Sequence, residues 1–117
     1  MRLDDIAREL KLVELVPPNE VEREAEVTRG YASDLLSDVL AHAPAGGVLV
    51  TLQVHLNVIA VAGHAELAAV VFAGGRTPDD EVVAKAAEEG LALYRAADDT
   101  FEVVGRLYGL GLKGSRA

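Results

Sequence analysis

The chain has 117 residues, of which half are hydrophobic but only 4% aromatic, and it carries a formal net charge of -8. That length supports one domain around a single core of Val, Leu, Ile and Ala, while the acidity argues against nucleic acid or an anionic membrane as the main partner. The absence of cysteine excludes a disulfide framework, a thiolate zinc site, an iron–sulfur cluster held by this chain and a cysteine nucleophile.

The opening MRLDDIAREL places acids where a signal peptide would need a basic patch and an apolar run, so a cytoplasmic location is expected. Leu3, Ile6, Ala7 and Leu10 recur at helical spacing with Asp4 and Asp5 in the first turn, which predicts a short amphipathic helix over 3–10. Leu12–Val16 reads as a short strand stopped by Pro17-Pro18, and Val21–Thr28 alternates charged and apolar residues as an edge strand would. Residues 29–34 read as a turn leading into a helix striped by Leu35, Leu36, Val39, Leu40 and Ala43, capped by Ser33 or Asp34. Asp34 and Asp38, four apart, share a face of that helix; two acids in an acidic protein are more often solvated than metal-bound, and no metal site is expected.

Val48–Val54 is a central-strand candidate, past which alternation sets Thr51, Gln53 and His55 on one face, with Asn57 opening a small-residue helix. Glu66–Glu81 forms the organising βα unit: Leu67–Phe72 is a continuous apolar run suited to a strand covered on both faces. Gly74-Gly75 provides the turn, Thr77 can cap, and Pro78 falls where a first helical residue would stand. The stretch 58–73 is too interrupted, at His64 and Glu66, to span a membrane. Val82, Val83, Ala86 and Ala87 make the packed face of a helix closed by Gly90, and Leu91–Tyr94 is a strand. Asp98-Asp99-Thr100 caps a last helix with Phe101, Val104, Leu107 and Tyr108 facing inward, and residues 108–117 are expected to fray. The whole predicts a single α/β domain over 1–117, with a largely parallel or mixed sheet of four to five strands flanked by helices.

Residues 30–38 (GYASDLLSD), 53–57 (QVHLN), 73–78 (AGGRTP) and 99–102 (DTFE) together resemble the DRTGG domain family, in particular its short stand-alone bacterial and archaeal members, over nearly the whole chain. The resemblance implies a fold similar to the N-terminal domain of HPr kinase and dimerisation. It also implies a regulatory or structural role, of the kind such domains hold beside the catalytic parts of some phosphotransacetylases and CBS-domain pyrophosphatases. The letters D-R-T-G-G do not occur, Gln53–Asn57 stands where other members carry an Asp-Arg pair, and no G-x-x-x-x-G-K-[ST] phosphate loop is present for a kinase to use.

The functional expectation is a non-catalytic, homodimeric regulatory or ligand-binding domain with its site on the βα-loop rim. The candidate residues are Tyr31, Ser33, Asp34, Gln53, His55, Asn57, Gly74, Gly75, Arg76, Thr77 and Thr100. The expected ligand is an anionic small molecule or nucleotide, held at the Gly74–Thr77 turn by backbone N–H groups, the helix dipole and Arg76; no cofactor is identified. Two alternatives remain open. One is a purely structural or partner-binding module in which the same residues only cap helices, and the other is a small enzyme using His55 as a base oriented by Asp34 or Asp99.

Overall fold

A computed structural model describes residues 1–115. Five strands, β1 (Val13–Val16), β2 (Gly30–Ala32), β3 (Val48–Thr51), β4 (Ala69–Phe72) and β5 (Ala92–Arg95), form one sheet in the order β1-β5-β4-β3-β2. The ladder from β2 to β5 is parallel and β1 closes it antiparallel, so the sheet is mixed. Six helices flank it: α1 (Leu3–Leu10), α2 (Glu20–Glu24), α3 (Leu36–His42), α4 (Asn57–His64), α5 (Asp80–Glu89) and α6 (Thr100–Gly109).

A parallel ladder needs helical cover on both faces, and the side chains of β3, β4 and β5 supply an apolar surface to each. Val48, Val50, Ala69, Val71, Ala92 and Tyr94 face α1 and α6, meeting Leu3, Ile6, Leu10, Val103 and Leu107. Leu49, Val70, Phe72 and Leu93 face α3, α4 and α5, meeting Val39, Val58, Ile59, Ala62, Val82 and Ala86. At about 25 cal/mol per Å² of apolar surface removed from water, each buried Val, Leu, Ile or Phe among them contributes about 1.5–3 kcal/mol. Among the described residues, no helix is long and apolar enough to cross a membrane.

Several local expectations are overturned. Residues 21–28 do not form an edge strand: Asn19 accepts a hydrogen bond from Glu22 N at 2.8 Å and caps the short helix α2. The Glu- and Arg-rich composition suits a helix as well as an alternating strand, and the cap decides between them. The turn expected at 29–34 contains β2, hidden in the sequence because it has only three residues and begins with glycine. Strand β3 stops at Thr51 rather than Val54, so Gln53 and His55 lie in the following loop and not on a strand face. In α6, Phe101 and Tyr108 point outward, 87% and 59% exposed, while Val103 and Leu107 are buried. Leu35 and Leu40 are likewise exposed, leaving Val39 as the buried residue of α3. The chain end is held beyond residue 108: Leu112 is buried, Lys113 O accepts from Gly30 N at 2.9 Å, and Lys113 N donates to Thr28 O at 3.0 Å. The part of the expected frayed tail at 116–117 lies outside the described residues.

Tyr94, 1% exposed on β5, has a buried hydroxyl without a hydrogen-bond partner among the described residues. Burial, then the nearby Glu14 and Asp4 carboxylates, push its pKa up to about 12. The folded state therefore holds this proton more tightly than the unfolded chain, whose tyrosine titrates near 10; stability is full below about pH 10 and falls as pH rises toward 12. Tyr94→Phe keeps the ring and removes the unpaired hydroxyl. Urea unfolding should show it as stable as wild type or more so, by about 1 kcal/mol, and with a weaker decline of stability between pH 10 and 12.

Candidate functional site

Four parallel strands end on one rim, and their following loops meet there: residues 33–35 after β2, 52–56 after β3, 73–79 after β4 and 96–99 after β5. In open α/β sheets this carboxyl-terminal edge is where ligands enter. Asp34, Leu52, Gln53 and Arg76 line a cleft of about 170 Å³ on this rim. The fold thus brings together three of the predicted site residues, Asp34, Gln53 and Arg76, from three different loops.

Asp34 does not cap α3. Its Oδ1 accepts from Leu52 N at 2.7 Å and from Thr51 Oγ1 at 3.2 Å, binding the β2–α3 loop to the end of β3. Thr51, 0% exposed, accepts in turn from Gln53 N at 3.1 Å. Two of the first amides after β3 are therefore satisfied by side chains, which sets the backbone on which Gln53 sits. The α3 entry instead uses Ser33, whose Oγ accepts from Leu35 N at 3.2 Å.

The glycine turn differs from the expected anion cradle. Gly74 and Gly75 adopt φ of 69° and 68°, a left-handed pair that suits glycine. Their N–H groups, however, donate to Asp98 O at 2.7 Å and Ala96 O at 2.8 Å, and so fasten the β4 loop to the β5 loop. Thr77 does not cap α5 but accepts from Arg95 Nη1 at 3.0 Å, and Pro78 precedes the helix, which starts at Asp80 after Asp79 in the capping position. With those two amides engaged, the open cationic group of the turn is Arg76, which is exposed and has no ion-pair partner among the described residues.

The remaining candidates lie apart from the cleft. His55 and Asn57 are exposed at the start of α4, outside the cleft lining. Thr100 is the first residue of α6, its Oγ1 buried and without a partner among the described residues, while Asp99 caps the helix by accepting from Glu102 N at 2.9 Å. Tyr31 faces a different region, donating from its hydroxyl to Asp38 Oδ2 at 2.8 Å. Asp38 also meets His42 Nδ1 at 3.0 Å through its other oxygen. The Tyr31 bond foremost, then Ser33 and His42, hold the Asp38 carboxyl below its usual range. Asp34 and Asp38, considered from sequence as one acidic face, are thus committed to different partners. Sequence reasoning left Thr51 and Leu52 out of the candidate set; a threonine at the end of an otherwise apolar strand was the signal for the first, and a backbone donor leaves none.

No protein-family model matches the chain, and no curated protein matches it. Among solved structures, the fold is similar to that of the CBS and DRTGG domains of the regulatory region of a Clostridium perfringens pyrophosphatase, complexed with its activator diadenosine tetraphosphate. The TM-score is 0.73 at 18% identity, over 95% of this chain and 47% of the other, so this chain spans about half the length of that structure. The likeness establishes a related α/β domain fold.

Asp34→Ala should remove the acceptor shared by Thr51 and Leu52, lowering stability by about 1 kcal/mol and speeding hydrogen exchange at the Leu52 and Gln53 amides. Asp34→Asn, which retains an acceptor oxygen, should restore most of the protection. Unchanged exchange in the alanine variant would show that the carboxylate does not hold this loop.

Proposed function

We propose that the chain is a regulatory ligand-binding domain of the DRTGG type, homodimeric and cytoplasmic, which binds a nucleotide-like anion at the rim rather than transforming a substrate. The observation that carries this reading is the placement of Arg76, which has no ion-pair partner among the described residues, across a cleft from Asp34 and Gln53. The guanidinium offers a planar set of donors for phosphate. The Asp34 oxygen not engaged by Leu52 and Thr51 can accept from a ribose hydroxyl or a base amine, and the Gln53 amide can both donate and accept.

A bare inorganic anion fits this arrangement less well, because it would meet the Asp34 carboxylate without offering it a donor. A ligand with a phosphate at one end and hydroxyl or amine donors beside it satisfies both sides. The cleft of about 170 Å³ is below the usual range for enclosing a whole ligand, about 300 Å³ upward, so it would grip one end and leave the rest along the rim. The similar pyrophosphatase regulatory region is complexed with a dinucleoside polyphosphate, a ligand of this chemical character. His55 lies outside the cleft, which favours binding over the alternative of a His55-based enzyme.

Titration with adenine mono-, di- and dinucleotides, followed by backbone amide shifts, should move Gln53 and Arg76 most. Arg76→Ala should weaken binding about tenfold or more, the loss expected for one charge-assisted contact. Equal affinity in that variant, or shifts confined to other surfaces, would overturn the rim site. Light scattering should give twice the 12.3 kDa chain mass, and a monomer at micromolar concentration would overturn the dimeric reading.

A further inference from the structure

The outward face of α6 carries an unusual pair of features. Phe101, 87% exposed, projects from the first turn. Farther along the helix, Val104, Leu107 and Tyr108 form one wall of a mostly apolar cavity of about 560 Å³, which is also lined by Val50 on β3, Leu112 and Lys113, and by Tyr31, Asp38 and His42 from β2 and α3. Phe101 and Tyr108 are seven residues apart, so the projecting ring and the cavity are separated by about 10 Å along one helix. Charge follows the same axis. Asp98, Asp99 and Glu102 lie at the N-terminal end, whereas Arg106 and Lys113 lie at the C-terminal end, the latter stacked 4.0 Å from the Tyr108 ring centroid. Arg106 meets Asp98 at 3.6 Å and Glu102 at 3.7 Å in exposed pairs that are weak enough to exchange partners at small cost.

We infer that this face is the homodimer interface, with α6 of one protomer crossing α6 of its partner antiparallel about a two-fold axis near Gly105. Antiparallel crossing sets each Phe101 against the partner's cavity and each acidic end against the partner's basic end. A knob and a hole on one helix meet twice under a two-fold operation, which is the condition for a closed isologous contact. A chain of net charge -8 repels its own copies, so association is favoured where opposite charges alternate. The inference rests on the dimeric reading above and names the surface.

The chain has no cysteine, and a Cβ built at Gly105 meets nothing within 4 Å, so Gly105→Cys provides a single reporter thiol without disturbing the fold. Cysteines near a two-fold axis can join, because residues there approach their own copies. Mild oxidation should therefore give a disulfide-linked dimer from Gly105→Cys and little from Gly63→Cys, an equally open position on α4. Phe101→Asp should weaken the dimer by about a hundredfold or more by light scattering, as expected for loss of a buried aromatic anchor. Leu40→Asp on α3, an exposed position outside the cavity lining, should leave the mass unchanged. A monomeric wild type would overturn both the dimer and this interface. A wild-type dimer that survives Phe101→Asp, dissociates with Leu40→Asp or cross-links equally well at Gly63 would overturn the interface alone.

Discussion

The parallel pairing of β2, β3, β4 and β5 is the constraint from which the rest of the molecule follows. Parallel neighbours cannot be joined by hairpins, so each strand must be followed by a crossover, and the crossovers deliver helices to the sheet faces. Both faces are then buried. Val70, Val71 and Phe72 on β4 are at most 1% exposed, and none could become polar without leaving a group unpaired. The same pairing puts four strand ends on one edge and gathers loops distant in sequence. Asp34, Gln53 and Arg76 are neighbours because their strands run the same way, and no local rule brings them together.

The rim is held by its own contacts. Asp34 ties the first loop to the second through Leu52 and Thr51, while Gly74 and Gly75 tie the third to the fourth through Asp98 and Ala96. This bracing changes what the glycine turn can do. An amide already donating to a carbonyl at 2.7 or 2.8 Å cannot also point at an anion, so the two glycine amides of this turn are committed to bracing. The two glycines are needed for the left-handed path that brings those amides to their acceptors.

Legibility in the sequence tracks how far each feature depends on local pattern. The buried run at 67–72, the stripe at 3–10 and the glycine closing α5 have strong periodic or conformational signals, and each appears within a residue or two of its expected place. Alternation misled at 21–28, where VEREAEVT satisfies a strand pattern but Asn19 caps a helix; Val27 is the residue of that stretch drawn into the core. In α6 the apolar set is wider than one face, so spacing points Phe101 and Tyr108 inward with Leu107, whereas Val103 joins Leu107 against the sheet and the two aromatic rings are exposed. For the site, residue types were readable but their partners were not. That Asp34 reaches across 18 residues to Leu52, or that Gly74 bonds to Asp98, is a property of strand order and register rather than of spacing.

Asp98 links the rim to the outward face of α6. Its carbonyl accepts from Gly74 on the β4 loop that carries Arg76, and its carboxylate pairs with Arg106 on α6. The cap at Asp99 lies one residue on, so the first turn of α6, which bears Phe101, is positioned by the same short loop that braces the rim. A ligand influences association only if it binds the free and associated forms with different affinity. In this fold such a difference needs no long path: a displacement of the β4 loop bears on the 96–99 loop through two backbone hydrogen bonds, and the 96–99 loop leads directly into α6.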